Sequence, residues 1–318
     1  MVTHGPLRVV FFGTPAFAVP TLDALLGSRH RVVGVVTQPD RPRGRGQRVS
    51  EAPVKLRAVA AGIPVLQPAS LKPSEFLADL TAFDADLGVV AAYGRILTEA
   101  VLAVPRLGMI NVHASLLPRY RGAAPVHRAV IAGDRETGVT IMRVVKALDA
   151  GPMMARVRRP ISADETSADV EQDLAQLGAG LLVGVVDDLA GGGASEEPQN
   201  GADVTYAPRL TKDDSLLDWA RPARDLHNQV RGLHPWPHAE TFLDGKRLIV
   251  RRSAVPGEAA GGPPGTIVAA RGDQLDVATG DGLLRIVELQ AEGKKPMRVR
   301  DFLAGHPVAI GSRLSGAP

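Results

Sequence analysis

Short apolar runs recur along the first half of the chain and alternate with segments of helical periodicity. The apolar runs cover residues 7–13, 31–37, 65–67, 87–92 and 109–112, and the helical patterns cover 15–26, 53–61, 74–80, 98–104 and 125–132. Because strands buried on both faces lack polar alternation, such runs are typical of a parallel sheet covered by helices. The pattern therefore predicts an α/β fold with a doubly wound, mostly parallel, Rossmann-like sheet.

Further strands at 138–145 and 153–161, the second of them antiparallel, and one long helix complete a first domain that we place at residues 1–190. Thr166 and Asp169 have the spacing of a capping box at the start of that helix. Its apolar positions fall on one face, which we predict to be the buried one: Val170, Leu174, Leu177, Leu181, Val185 and Leu189.

The pattern changes after residue 190. Residues 191–207 are rich in Gly and have the composition of a linker. Residues 208–318 then show one helical segment at 221–233, followed by short alternating runs at 247–255, 266–270, 275–278 and 283–289. Gly and Asp turn signals separate these runs. We therefore predict a second, smaller domain at 208–318 that is a β-barrel of the oligonucleotide-binding (OB-like) type.

Composition and charge narrow the class of protein. The 318 residues are 45% hydrophobic and 22% charged, as is common for globular proteins, and include no cysteine. Disulfides, thiol nucleophiles and thiolate metal ligands are thereby excluded. The chain start lacks a signal-peptide pattern, and no apolar stretch looks long enough for a membrane span, so we expect a cytoplasmic location.

The excess of positive charge lies in the second domain. Residues 1–207 contain 21 Lys or Arg and 21 Asp or Glu, whereas residues 208–318 contain 16 and 13, so the surplus of +3 falls entirely in 208–318. Basic residues such as Lys246 and Arg252 recur there, which favours a nucleic-acid surface.

Candidate chemistry is concentrated where the apolar run 109–112 ends. Side chains alternate along a strand, so Asn111 and His113 point the same way, at the carboxyl edge where open α/β sheets bind ligands. Asp149 lies in a Gly- and Pro-bounded turn after the run 138–145 and is expected at the same edge. The alternative interpretation makes Asn111 and Asp149 turn residues and His113 a core histidine. Gly13-Thr-Pro15 is not the G-x-G-x-x-G fingerprint, so a nicotinamide cofactor is not predicted.

The three side chains suit acyl transfer to an amine without a covalent enzyme intermediate. The Asn111 amide and a protonated His113 can stabilise an oxyanion, while Asp149 can pair with the imidazolium and help to remove the amine proton. A Ser-His-Asp triad with Ser115 as nucleophile is the rival set. It is weaker, because no G-x-S-x-G motif surrounds that serine.

A second feature is the loop at 38–53, which is rich in Pro and Gly and carries Arg41, Arg43, Arg45 and Arg48. Long loops inside compact domains are either functional or disordered. The composition is equally compatible with a solvated basic loop and with a flap that closes on phosphate or on the end of a nucleic acid.

The segment Asn111-Val-His-Ala-Ser-Leu-Leu-Pro118 resembles the signature of formyltransferases that use 10-formyltetrahydrofolate. Other segments are similar to one branch, the methionyl-tRNA formyltransferase family: Gly13-Thr-Pro15, Thr37-Gln-Pro-Asp-Arg-Pro42, Arg119-Tyr-Arg-Gly-Ala-Ala-Pro125, Val277-Ala-Thr-Gly-Asp-Gly282 and Gly293-Lys-Lys-Pro296. The resemblance covers nearly the whole chain. It departs from the family at Asp149-Ala150-Gly151, where Asp-Thr-Gly is frequent. The carboxylate is retained, and only a hydroxyl is lost.

The resemblance implies transfer of a formyl group from 10-formyltetrahydrofolate to the α-amino group of methionine on initiator tRNA, with Asn111, His113 and Asp149 as catalytic residues. Folate contacts are implied for Ser115, Leu116, Leu117 and Pro118. Contacts with tRNA are implied for the basic loop, Arg41, Arg43 and above all Arg45, and we add Lys246 and Arg252 from the tail. We expect a monomer without a metal ion. A formyltransferase acting on an amino sugar or small amine and a non-catalytic tRNA-binding protein are the alternatives.

Overall fold

The computed structural model describes residues 5–43, 48–259 and 261–316. The strands are β1 (Arg8–Gly13), β2 (Arg31–Val36), β3 (Arg41–Arg43), β4 (Arg48–Ser50), β5 (Val65–Leu66), β6 (Leu87–Ala91), β7 (Met109–His113), β8 (Arg121–Gly122), β9 (Glu136–Arg143), β10 (Met153–Pro160), β11 (Tyr206–Ala207), β12 (Ala239–Leu243), β13 (Lys246–Ala254), β14 (Ile267–Arg271), β15 (Gln274–Ala278), β16 (Leu283–Ala291), β17 (Met297–Arg298) and β18 (Leu314–Ser315). The helices are α1 (Val19–Leu26), α2 (Pro53–Ala60), α3 (Ser74–Ala82), α4 (Glu99–Leu102), α5 (Pro125–Ala132), α6 (Ser167–Gly191), α7 (Ala223–Gly232) and α8 (Val299–Gly305), with short 3₁₀ turns at Ala16–Ala18, Gly201–Asp203 and Lys212–Ser215.

The chain forms two compact units. The first contains the described residues up to Pro125, together with Thr137–Arg159 and Glu171–Ala207. The second contains Val126–Glu136, Pro160–Val170 and the described residues from Pro208 onwards. Each unit therefore includes segments that are distant in sequence.

The first unit is built on a seven-stranded sheet in the order β10-β9-β7-β6-β1-β2-β5. The pairs β1–β2, β1–β6, β2–β5 and β6–β7 are parallel, whereas β9 is antiparallel to β7. The chain extends the sheet from β1 first in one direction and then in the other, which is the doubly wound, Rossmann-like arrangement that the apolar runs predict. Val9, Val10, Phe11 and Phe12 are fully buried, which explains why β1 shows no polar alternation.

Helix α6 begins at the predicted capping box. The Asp169 carboxylate accepts hydrogen bonds from the Thr166 backbone N–H at 2.9 Å and from its hydroxyl at 2.6 Å. These bonds to the charged form hold the pKa of Asp169 below its usual value. Helix capping was therefore predicted correctly from a four-residue pattern.

The buried face of α6 is not quite the predicted one. Leu177, Leu181 and Leu189 are only partly buried, whereas a neighbouring stripe of small residues is buried: Ala175, Gly178, Ala179 and Ala190. A Cβ at Gly178 would lie 2.7 Å from Val112 Cγ1 and 3.2 Å from Val139 Cγ1. The helix thus approaches β7 and β9 too closely for large side chains, and the small residues face the sheet.

The prediction that no apolar stretch is long enough for a membrane span was wrong for helix α6. With 25 residues and a mean hydropathy of 1.4 in its most apolar window, it is long and apolar enough to cross a bilayer by length and composition alone. Core helices meet the same criterion. Its close contact with β7 and β9 at Gly178 accounts for the apolar composition by packing within the first unit.

The predicted linker lies against the first unit at several points. Met153 and Glu197 exchange backbone hydrogen bonds of 2.8 Å in both directions. β11 pairs in parallel with β8 through Tyr206–Arg121 and Ala207–Gly122. The segment 191–207 is therefore attached to the same loops that follow β7 and β9.

The second unit contains an antiparallel sheet in the order β14-β15-β16-β13-β12-β18. Its two edges meet, because Thr266 bridges to Arg313, the Ile267 N–H donates to Ser312 O and the Leu314 N–H donates to Gly265 O. The sheet therefore closes on itself as the predicted OB-like barrel. Sequence patterning missed β12, β17, β18 and helix α8, all of which are short or lack clear alternation.

The basic loop at 38–53 contains regular structure that its composition did not predict. β3 and β4 pair antiparallel with the register Arg41–Ser50, Pro42–Val49 and Arg43–Arg48. The loop therefore contains a short antiparallel pair of strands, which we call the basic hairpin, and residues 44–47 lie outside the described residues.

Candidate active site

Asn111 and His113 lie at the end of β7, on the same face of the strand. β7 pairs with β6 on one side and with β9 on the other, with Asn111 opposite Val90 and Met142. His113 is 5% exposed, while Asn111 is half-buried. Within the described part of the chain, the Asn111 side chain makes no hydrogen bond. Its amide is therefore available to a ligand at the carboxyl edge of the sheet.

The hydrogen bonds of His113 define which ring nitrogen carries a proton. Nε2 lies 3.0 Å from the carbonyl oxygen of Tyr120. A carbonyl can only accept, so Nε2 must be the donor. Nδ1 is then the nitrogen that is open to another partner, and it faces Asp149 Oδ2 at 3.7 Å.

The distance between the imidazole and the carboxylate leaves Nδ1 free for a substrate atom. At 3.7 Å the pair is an electrostatic contact and is longer than a hydrogen bond. The side chains of His113 and Asp149 are 6% and 18% exposed, so little water screens their attraction. A protonated Nδ1 can therefore donate to a ligand while Asp149 stabilises its charge.

Asp149 lies in a turn in which its own backbone has an unfavourable conformation. Its φ is +45°, in the left-handed region that few non-glycine residues adopt. Its Oδ2 accepts a hydrogen bond of 2.8 Å from the backbone N–H of Gly122. Two residues on, a Cβ at Gly151 would lie 1.9 Å from the carbonyl oxygen of Arg143. The turn thus requires glycine at 151 and directs the carboxylate towards the loop that follows β7.

Polar contacts also join the carboxyl ends of β1, β2 and β6. The Thr14 hydroxyl donates to Tyr93 O at 3.2 Å, and Gln38 Nε2 donates to the same carbonyl at 2.8 Å. Tyr93 itself is 2% exposed, and its buried hydroxyl has no hydrogen-bond partner in the part of the chain that the structure describes. Burial raises the pKa of this phenol.

The predicted folate segment is folded tightly. The Ser115 hydroxyl is fully buried and donates to Arg119 O at 2.6 Å. Leu117 is 1% exposed and packs with Met142 and Met153. Only the half-buried side chains of Leu116 and Pro118 are open to a ligand. The Ser115 hydroxyl is thus committed to a backbone carbonyl, which disfavours the alternative triad with a serine nucleophile.

The basic residues singled out from the sequence occupy separate parts of the chain. Arg41 and Arg43 belong to the β3 strand, and Arg45 lies outside the described residues. The hairpin is anchored at its base, where Asp40 accepts hydrogen bonds from Lys55 Nζ at 2.5 Å and Gln67 Nε2 at 2.9 Å. In the second unit, the side chains of Lys246 and Arg252 are exposed.

Sequence reasoning missed three residues of this site. Tyr120 and Gly122 contact His113 and Asp149 through their backbone atoms, so no side-chain motif could have marked them. Gln199 bonds to the Asp149 turn from within the predicted linker. Over the described residues, no group of three or more His, Asp or Glu side chains is placed to hold a metal ion.

Comparisons with known proteins agree over both halves of the chain. The formyl transferase family model matches residues 7–186, and the formyl transferase C-terminal domain model matches residues 209–307. The methionyl-tRNA formyltransferase of Methylococcus capsulatus is 50% identical over 308 residues, covering 97% of this chain and 99% of that protein. The methionyl-tRNA formyltransferase of Ectopseudomonas mendocina is 51% identical over 296 residues, covering 93% and 94%.

Among solved structures, the sugar 3N-formyl transferase WlaRD, determined in the presence of dTDP and 5-N-formyl-THF, has a TM-score of 0.67 with this chain. The match covers 91% of this chain and 99% of that one at 15% sequence identity. At that identity the likeness concerns the fold.

Proposed function

The chain belongs to the methionyl-tRNA formyltransferase family, and on that premise we propose that Asn111, His113 and Asp149 carry out its group transfer. The enzyme formylates methionyl-tRNA and takes the formyl group from a folate. We propose 10-formyltetrahydrofolate as this co-substrate and a cytoplasmic monomer as the working form. The observation that carries the assignment of residues is the contact of His113 Nδ1 with Asp149 Oδ2 at 3.7 Å, beside an Asn111 amide with no hydrogen bond among the described residues.

The reaction forms a bond between the amine nitrogen of methionine and the formyl carbon, and breaks the bond between that carbon and N10 of the folate. Negative charge develops on the formyl oxygen in the tetrahedral intermediate. The Asn111 amide donates a hydrogen bond to this oxygen, and a donor in such a position commonly lowers the barrier by about 2.7–4 kcal/mol. The protonated Nδ1 of His113 is the second donor, because Nε2 is occupied by the Tyr120 carbonyl.

One proton must cross the site in each turnover, since the amine loses a proton and N10 gains one. Asp149 takes the proton from the attacking amine. When the tetrahedral intermediate collapses and the charge on the formyl oxygen is lost, His113 Nδ1 passes its proton to N10 as the carbon–nitrogen bond breaks. The two groups then exchange a proton across their 3.7 Å contact, which restores the imidazolium and the carboxylate.

The test is transfer of labelled formyl from 10-formyltetrahydrofolate to methionyl-tRNA, with free methionine and an amino sugar as alternative acceptors. We expect label on methionyl-tRNA alone. Efficient formylation of the amino sugar would contradict the proposed acceptor. Binding of initiator tRNA without any transfer of label would contradict the proposed catalytic residues.

We further propose that residues 1–190 form the catalytic domain, that 191–207 connect it to residues 208–318, and that the last segment binds tRNA. The basic hairpin, through Arg41, Arg43 and Arg45, and the exposed Lys246 and Arg252 are assigned to phosphate contacts. Three observations support this: the hairpin follows β2 at the carboxyl edge, Asp40 anchors it, and the positive surplus lies in the tail.

Phosphate contacts release counterions, so KM for methionyl-tRNA should rise steeply with salt while KM for the folate changes little. Arg45→Ala should also lower kcat, because a flap that covers the aminoacyl end positions the amine. Lys246→Ala and Arg252→Ala should mainly raise KM. Arg31→Ala, at the exposed amino end of β2, is the control. If Arg31→Ala raised KM for methionyl-tRNA as much as Lys246→Ala and Arg252→Ala, residues 208–318 would not be the tRNA-binding surface.

A further inference from the structure

The segment that follows α6 contacts the turn that carries Asp149. It is attached at one end by the paired backbone of Glu197 and Met153, and at the other by the β8–β11 pairing at Arg121 and Gly122. The Ala207 carbonyl also accepts hydrogen bonds from the N–H groups of residues 123 and 124 at 2.9 and 3.2 Å. Residues 198–205 therefore run between two fixed points beside the candidate active site.

Within this stretch, Gln199 uses its whole side-chain amide on the loops of the site. Its Nε2 donates to Asp149 O and to Gly151 O, both at 2.8 Å. Its Oε1 accepts from Arg121 Nε at 3.0 Å and from Arg121 Nη2 at 2.7 Å. An amide has two N–H donors and two acceptor positions, and all four are used. Gln199 thus joins the turn at 149–151 to the strand β8.

The same two segments are joined a second time through the carboxylate itself. Asp149 Oδ2 accepts the Gly122 N–H at 2.8 Å, next to the Arg121 that Gln199 holds. The left-handed φ of +45° at Asp149 is unfavourable and persists only where the surroundings impose it. Gln199 helps to hold this conformation, because its two N–H groups bind the carbonyls of 149 and 151.

We propose that Gln199 is a positioning residue for Asp149, holding the turn so that the carboxylate faces His113 Nδ1. This inference rests on the proposed catalytic role of Asp149. It gives the predicted linker a part in positioning the catalytic carboxylate. A misplacement of about 1 Å in a reacting group commonly costs on the order of 100-fold in rate, so loss of this amide should affect kcat far more than either KM.

The test compares three substitutions in the full-length enzyme. Gln199→Met keeps the length of the side chain and removes all four hydrogen bonds. Gln199→Glu still accepts from Arg121 but sets a carboxylate against the carbonyls of residues 149 and 151. Gln176→Met, at an exposed position of α6, is the matched control. Kinetic constants for both substrates and the melting temperature are measured for each.

We expect kcat to fall by about 10- to 100-fold for both Gln199 variants, with each KM within about threefold of wild type and the Gln176 variant unchanged. Gln199→Glu with wild-type kcat would overturn the proposal, because it lacks the two donors. Equal losses in kcat and in both substrate affinities, together with a lowered melting temperature, would also overturn it, since they indicate general damage.

A double substitution separates this inference from the proposed function. If Gln199 acts through Asp149, adding Gln199→Met to Asp149→Asn should lower kcat by less than about threefold, because groups that work as a unit are not additive. If the fold losses in kcat of the two single variants multiplied in the double variant, Gln199 would act independently of Asp149. If Asp149→Asn alone left kcat unchanged, the proposed mechanism would fail, whatever Gln199 did.

Discussion

Replacing Asp149 by asparagine isolates the contribution of its charge. The Asp149→Asn variant would keep the shape of the side chain, and the amide oxygen could still accept the Gly122 N–H that Asp149 Oδ2 accepts at 2.8 Å. What is lost is the proton acceptor for the attacking amine, together with the attraction between the carboxylate and a protonated His113 Nδ1 at 3.7 Å. With an effective dielectric constant of about 20 for partly buried groups, that attraction is about 4 kcal/mol.

The carboxylate acts in the transition state, in which it accepts the amine proton while the imidazolium faces the developing oxyanion. A loss of about 4 kcal/mol corresponds to a fall in kcat of about 1,000-fold. Both KM values should change by less than about threefold, because neither substrate needs the charge in order to bind. The control is Asp188→Asn, at an exposed position near the end of α6, which should retain wild-type activity.

The assay is single-turnover formyl transfer from 10-formyltetrahydrofolate to methionyl-tRNA, with each substrate varied in turn. His113→Ala and the double variant with Asp149→Asn are measured alongside. If the two residues act as a pair, the double variant should be scarcely slower than the slower single variant. Asp149→Asn with more than about a tenth of the wild-type kcat, or fully multiplied losses in the double variant, would refute the coupling.

Three further predictions test other parts of the structure. Asn111→Ala should lower kcat by about 100- to 1,000-fold through loss of an oxyanion donor; a large rise in KM with kcat preserved would contradict that role. Gly178→Ala places a Cβ 2.7 Å from a valine methyl of β7 and should destabilise the protein by about 1–3 kcal/mol in urea unfolding. Gly180→Ala, with open space around it on the same helix, should stabilise the protein by about 0.5–1 kcal/mol. If the two substitutions changed the free energy of unfolding equally, the close packing at Gly178 would be disproved. Burial, with the nearby positive charge of Arg251, lowers the pKa of His238 to about 4. Only the unfolded chain then takes up this proton between about pH 6.5 and 4, so stability should fall as pH falls through that window, by about 1–2 kcal/mol at about pH 5. His238→Asn should reduce the drop in melting temperature between about pH 7 and 5, and an unchanged drop would contradict the assignment.

Local patterns in the sequence determined much of the scaffold. The apolar runs located β1, β2, β6 and β7, because a strand covered on both faces tolerates few polar residues. The capping box at Thr166 located the start of α6, since its hydrogen bonds join residues only three positions apart. The alternation of side chains along β7 also placed Asn111 and His113 on one face without knowledge of any other element.

The face of α6 and the edges of the barrel could not be obtained in this way. Periodicity alone ranks Leu177 and Leu181 above Ala175 and Ala179 as core positions, yet the close approach at Gly178 reverses the order. Strand β18 has two residues and carries almost no pattern of its own. It forms because its backbone pairs antiparallel with β12 in the folded barrel.

The candidate site depended most on tertiary structure. Asp149 is 36 positions from His113 along the chain, and Gln199 is a further 50 positions away. Their alignment rests on the backbone groups of Tyr120, Gly122 and Gly151, which carry no side-chain signature. Composition marks the segment around Gln199 only as a flexible linker, because composition cannot register a hydrogen bond to a distant carbonyl. Tertiary structure alone brought that amide to the Asp149 turn, since its four hydrogen bonds reach two loops that only the folded sheet places side by side.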